Sequence, residues 1–134
     1  MPDRIDVEVL GAERAGGRIA AGDVARLCAL ALGSAGIDSG HVAVEFVDAQ
    51  RIADVNRRHR GRDAPTDVLS FPVDEAGDAA GPRELGDVLV CPAHTEDLRE
   101  AVVHGALHLA GMDHEADDGE MLILQREILS WEAA

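Results

Sequence analysis

His104-Gly105-Ala106-Leu107-His108-Leu109-Ala110-Gly111-Met112-Asp113-His114 closes a helix, turns, and carries three of the chain's six histidines. In a helix His104 and His108 stand at i and i+4, so both imidazoles leave one face a turn apart, close enough to share an ion. Gly111 can end the helix in a left-handed conformation and bring His114 back toward the same point. A lone histidine here would be read as a capping or packing residue. Three at this spacing, with glycine at the turn, point to a metal. Three nitrogen ligands leave one tetrahedral position of a zinc ion open, the pattern of a catalytic site.

Working outward, Leu98, Val102, Ala106 and Leu109 form a helical stripe from about Thr95, on which the histidines ride. Downstream, Asp117 with Glu120 has the form of a capping box, and Met121, Leu124, Ile128 and Trp131 continue a helical face. Upstream, Asp87 to Cys91 reads as a strand stopped by Pro92, and residues 73 to 86 as a long acidic, glycine-rich loop that can fold over a site. Thr66 to Pro72 reads as another strand. Before it, Asp48 caps a helix with Ile52, Val55 and His59 on one face, closed by Gly61 and Pro65. Val42, Val44 and Phe46 alternate as a strand. Val24, Leu27, Cys28, Leu30 and Ala31 have helical spacing, with Asp23 as N-cap and Gly33 or Gly36 near the end, and Ile5 to Leu10 alternates as the first strand. The order is βαβαββαα. We expect an α+β fold: a single domain over residues 1 to 134, with packed helices on a four-stranded mixed sheet.

A chain of 134 residues supports one core. Only Phe46, Phe71 and Trp131 are aromatic, so that core must come from Val, Leu, Ile and Ala. The net charge is −14 and every basic residue is arginine, which argues against a general nucleic-acid coat. The exception is residues 51 to 62, where Arg51, Arg57, Arg58, Arg60 and Arg62 face only Asp54 and leave a net +4. One basic strip suits a focused contact with a polyanion. Cys28 and Cys91 lack framework or CxxC spacing, so buried thiols in a reducing cytoplasm are expected. The start of the chain carries charges where a secretory signal needs an apolar run, and no segment reaches membrane-spanning length.

The spacing H-x3-H-x2-G-x2-H also occurs in metzincin proteases, which carry a glutamate base directly after the first histidine. Here that position is Gly105. The histidine stretch, together with Asn56-x3-Arg60, Pro65-Thr66-Asp67-Val68-Leu69-Ser70-Phe71-Pro72 and Leu85-Gly86-Asp87, resembles the YbeY family of bacterial rRNA-maturation endoribonucleases from about residue 42 to 129. The resemblance implies a single-strand-specific, zinc-dependent endoribonuclease in 16S rRNA 3′-end maturation and ribosome quality control. It places one Zn2+ on His104, His108 and His114, and gives catalytic roles to Arg60 and His104. It also implies rRNA and the small ribosomal subunit as partners, with ribosomal proteins or an assembly GTPase as further candidates, and no membrane. Zinc with an open position can polarise a phosphoryl oxygen or bring the pKa of bound water to about 7. An arginine opposite can grip a phosphodiester and stabilise developing charge.

Two departures stand out. Met112 replaces the family's usual tyrosine, and the run from Cys91 to His104 omits a helix. Asp113 either fixes the turn or orients a ligand histidine, and Asp67 and Asp87 carry the same two readings. Arg57, Arg58 and Arg62 are RNA contacts or surface charge. A non-catalytic ribosome-assembly factor with structural zinc is the alternative, with a metalloprotease behind it.

Overall fold

The computed structural model describes residues 5–61, 64–73, 84–113 and 117–133, and among them the chain forms four strands and four α-helices in the expected order. β1 (Ile5–Leu10) turns Ile5, Val7 and Val9 to the core and leaves Asp6, Glu8 and Leu10 exposed. A 3-10 turn (Ala12–Ala15) leads to α1 (Ala21–Ser34), β2 (Gly40–Phe46), α2 (Ala49–Arg60), β3 (Val68–Pro72), β4 (Glu84–Val90), α3 (Leu98–Leu109) and α4 (Glu120–Ala133). The sheet order is β1-β2-β4-β3, with β1, β2 and β4 parallel and β3 antiparallel to β4.

The two faces of the sheet are covered differently. Val42, Val44, Phe46, Val88 and Val90 pack under α1, α3 and α4, against Val24, Leu27, Leu107, Met121 and Ile128. On the other face a smaller cluster of Leu69, Leu89, Cys91, Val47 and Ile52 lies beneath α2. Each fully buried Leu or Ile in these layers contributes about 1.5–3 kcal/mol relative to exposure. Both cysteines are free and buried, and burial pushes the Cys28 thiol up to about 12.

Several boundaries differ from the sequence reading. α1 starts before Asp23, from an extended Ala20 without a side-chain cap, while Asp23 sits in the first turn and pairs with Arg26 at 2.9 Å. β3 starts at Val68; just before it the Asp67 carboxylate takes the Val68 N–H at 2.8 Å, and the Asp67 carbonyl accepts the Cys91 N–H at 2.8 Å. β4 begins at Glu84, inside the stretch read as loop. There the register passes from His41 opposite Glu84 to Val42 opposite Gly86, leaving Leu85 as the extra residue of a bulge. Gly86 has φ +132, and a Cβ on it would stand 2.3 Å from the Phe71 carbonyl oxygen. Trp131 is 54% exposed, so the inner stripe of α4 is Met121, Gln125 and Ile128.

The short connection from β4 to α3 is a 3-10 turn (Pro92–His94) held by a distant side chain. The Arg18 guanidinium donates to the carbonyls of Pro92 at 2.9 Å, Thr95 at 2.5 Å and Glu96 at 3.2 Å. Asp97 caps α3 through the Glu100 N–H at 3.1 Å, two residues later than Thr95. No helix among the described residues is long and apolar enough to cross a membrane.

Candidate active site

α3 is enclosed on nearly every side, which explains its composition. From Ala101 to Leu109 every residue is buried except His104 and His108, the only polar side chains in that run. A helix so placed is expected to be apolar all round, and two histidines on it need partners or a ligand. Their rings lie 4.6 Å apart, edge to face at 78°, so the i, i+4 spacing places both on one surface.

The helix ends as expected, and the detail shows why glycine is needed. The Gly111 N–H reaches the His108 carbonyl at 2.9 Å and the Met112 N–H reaches Leu107 at 3.1 Å, the paired bonds of a Schellman motif with Gly111 at φ +102. Met112 follows with its side chain partly buried against the core.

His104 and His108 line a cleft of about 500 Å³ with Thr66, Asp67, Ser70, Met112 and Asp113. Its second wall is the start of β3, positioned by α2. Asp48 caps α2 by accepting the Arg51 N–H at 2.8 Å, Gly61 ends it, and buried Asn56 donates to the Ala64 carbonyl at 2.9 Å. Asn56 thus tethers the segment that delivers Thr66 and Asp67 to the cleft. Ser70 faces α3 and donates to the Gly105 carbonyl at 2.7 Å.

Gly105 is a contact point. A Cβ there would lie 2.6 Å from Val88 Cγ1 and 2.9 Å from Val68 Cγ2, so the helix rests on the sheet through this residue. The position that holds the protease carboxylate has no room for a side chain.

Of the other predicted site residues, Asp67 and Asp113 are brought to the histidines and Asp87 is not. Asp87 is the register partner of Phe71, which packs with the α2 cluster, so it faces away from α3. Burial, followed by the charge of Glu84, raises its pKa. Arg57 and Arg58 both pair with Asp54 on the outer surface of α2, Arg58 at 3.3 Å. Arg62, His114 and the side chain of Arg60 lie outside the described residues.

One partner was missed in the sequence. Gln125, 8% exposed on α4, places Oε1 2.8 Å from His104 Nδ1. Its signal was a polar residue four after Met121 and three before Ile128, in an inward stripe.

The donor set suits a borderline divalent ion: imidazole nitrogens from one helix face, one ring already hydrogen-bonded from behind. Among the described residues no group of three His, Cys, Asp or Glu side chains is placed to hold a metal ion.

Residues 21–131 match the sequence model of the family Endoribonuclease YbeY. The chain belongs to that family. The match begins in α1, upstream of the motifs that start near residue 42. A relative from Rubrobacter xylanophilus, named Endoribonuclease YbeY, is 41% identical over 137 residues and covers 96% of both chains. One of the same name from Bacillus cytotoxicus is 38% identical over 116 residues, covering 70% of this chain and 74% of the relative. Among solved structures, the solution structure of a Thermotoga maritima protein superposes with a TM-score of 0.57 at 30% identity, covering 95% of this chain and 92% of that one.

Proposed function

We propose that this chain is a zinc-dependent endoribonuclease that cuts single-stranded RNA in 16S rRNA 3′-end maturation and ribosome quality control. The observation that carries the reading is the His104–His108 pair, set on one face of a buried helix and opening on a polar cleft, in a chain of an endoribonuclease family. His104, His108 and His114 would hold one ion. When bound, it would supply a Lewis acid for a phosphoryl oxygen and lower the pKa of bound water.

The chain's own residues do the rest. Arg60, at the end of α2, is assigned to the scissile phosphate, where a guanidinium binds two oxygens at once and stabilises charge as it develops. Thr66 and Ser70 line the wall opposite the histidines with hydroxyls that suit a ribose or phosphate. Asp67 and Asp113 would orient ligands or hold the turn. rRNA on the small subunit is the proposed partner, with ribosomal proteins or an assembly GTPase bringing the chain to it, in the cytoplasm. A peptidase with its base after the first histidine is disfavoured by the packing at Gly105.

Protein purified without chelator should carry one zinc and cleave single-stranded RNA. His108→Ala should lose the ion, and Arg60→Ala should keep it while losing cleavage. A metal-free, folded and active sample would sink the reading. Full rescue of a deletion strain by Arg60→Ala would replace it with a non-catalytic assembly role.

A further inference from the structure

We propose that Gln125 is the positioning residue that selects the tautomer of His104 and so makes its Nε2 the metal-binding nitrogen. This rests on the metal centre proposed above. Gln125 occupies the inward stripe of α4 between Met121 and Ile128, both fully buried. An amide in such a place is destabilising if unpaired, so a packed apolar residue would serve α4 better unless the amide has a task. Its oxygen lies 2.8 Å from His104 Nδ1.

An amide oxygen only accepts, so with Oε1 facing the ring the hydrogen must sit on Nδ1. The lone pair is then on Nε2. A neutral imidazole in water favours the opposite arrangement, with the hydrogen on Nε2, which blocks that nitrogen as a ligand. Gln125 reverses the preference and fixes the ring plane from an element 21 residues away in sequence. Being uncharged, it does this without adding a carboxylate beside a cleft already lined by Asp67 and Asp113.

The test compares wild type with Gln125→Leu, which keeps volume and removes the acceptor, and Gln125→Glu, which keeps an acceptor. Two measurements are made on full-length protein. Nitrogen-15 spectra of histidine-labelled, metal-free protein at mildly alkaline pH report the tautomer. Competition with a chromophoric chelator reports zinc affinity. Wild type should show His104 protonated at Nδ1, and Gln125→Leu should lose that signature and bind zinc about 10- to 100-fold more weakly. Gln125→Glu should restore both, which a merely structural role would not do. An Nε2-protonated ring in wild type overturns the proposal, as does a Gln125→Leu protein with unchanged affinity. Wild type that binds no zinc instead overturns the metal centre itself, and the tautomer assignment is then judged by the spectra alone.

Discussion

On one face of the sheet His104 directs Nδ1 to the amide oxygen of Gln125 at 2.8 Å, while on the other His41 directs Nδ1 to the Glu84 carboxylate at 2.7 Å, with Glu8 3.4 Å from its Nε2. The first hydrogen bond is the same and the result differs because of the acceptor's charge. At His41 the bond to Glu84 raises the pKa above the ordinary value, burial opposes it, and the charges of Glu84, Asp6 and Glu8 add to the rise. That ring sits among carboxylates that favour its protonated form. At His104 the acceptor is a neutral amide, the basis of the tautomer proposed above. The faces themselves divide the same way: the α3 face is sealed by three helices, and the other is covered beneath α2 and carries exposed Glu8, Glu84 and Asp87.

The sealed face should tolerate a methyl group badly. Gly86→Ala combines a φ of +132 with a Cβ 2.3 Å from Phe71 O and 2.9 Å from Leu109 Cδ1, and should lower stability by about 3 kcal/mol in urea unfolding. A loss below about 1 kcal/mol would mean that β3, β4 and α3 are not in tight contact, and the contrast between faces would fail. A smaller effect is expected from Asp48→Ala, which removes the α2 cap bond to Arg51 N at 2.8 Å. It should cost about 1 kcal/mol. RNA cleavage should fall with it only if the α2 end that carries Arg60 is needed in place.

The smallest effect belongs to the open face. Glu84→Gln should lower the His41 pKa toward its ordinary value, read by NMR titration. Because the folded-state pKa is raised, His41 contributes stability fully below about 6.5, and that contribution fades as pH rises through the folded value. The substitution should flatten stability against pH in that window and leave zinc affinity unchanged. A change in zinc affinity would join two sites that the sheet separates.

The histidine helix, its glycine turn, the Asp48 cap and the βαβαββαα order were legible because they rest on local chemistry: i, i+4 spacing, a left-handed glycine, a carboxylate at a helix start. Alternation in Ile5–Leu10 was enough to assign inside and outside correctly. Element ends were less legible where a side chain binds the backbone at a strand's start, as Asp67 does with the Val68 N–H at β3. They also failed where a bulge hides a strand, as at Leu85. Three things depended on tertiary structure because they join residues far apart in the chain. Arg18 holds the short β4–α3 connection across more than seventy positions. Asp87 turns from the cleft because strand register decides its face. Gln125 meets His104 because α4 packs across α3, and no periodicity within either helix predicts which inward residue lands on the ring.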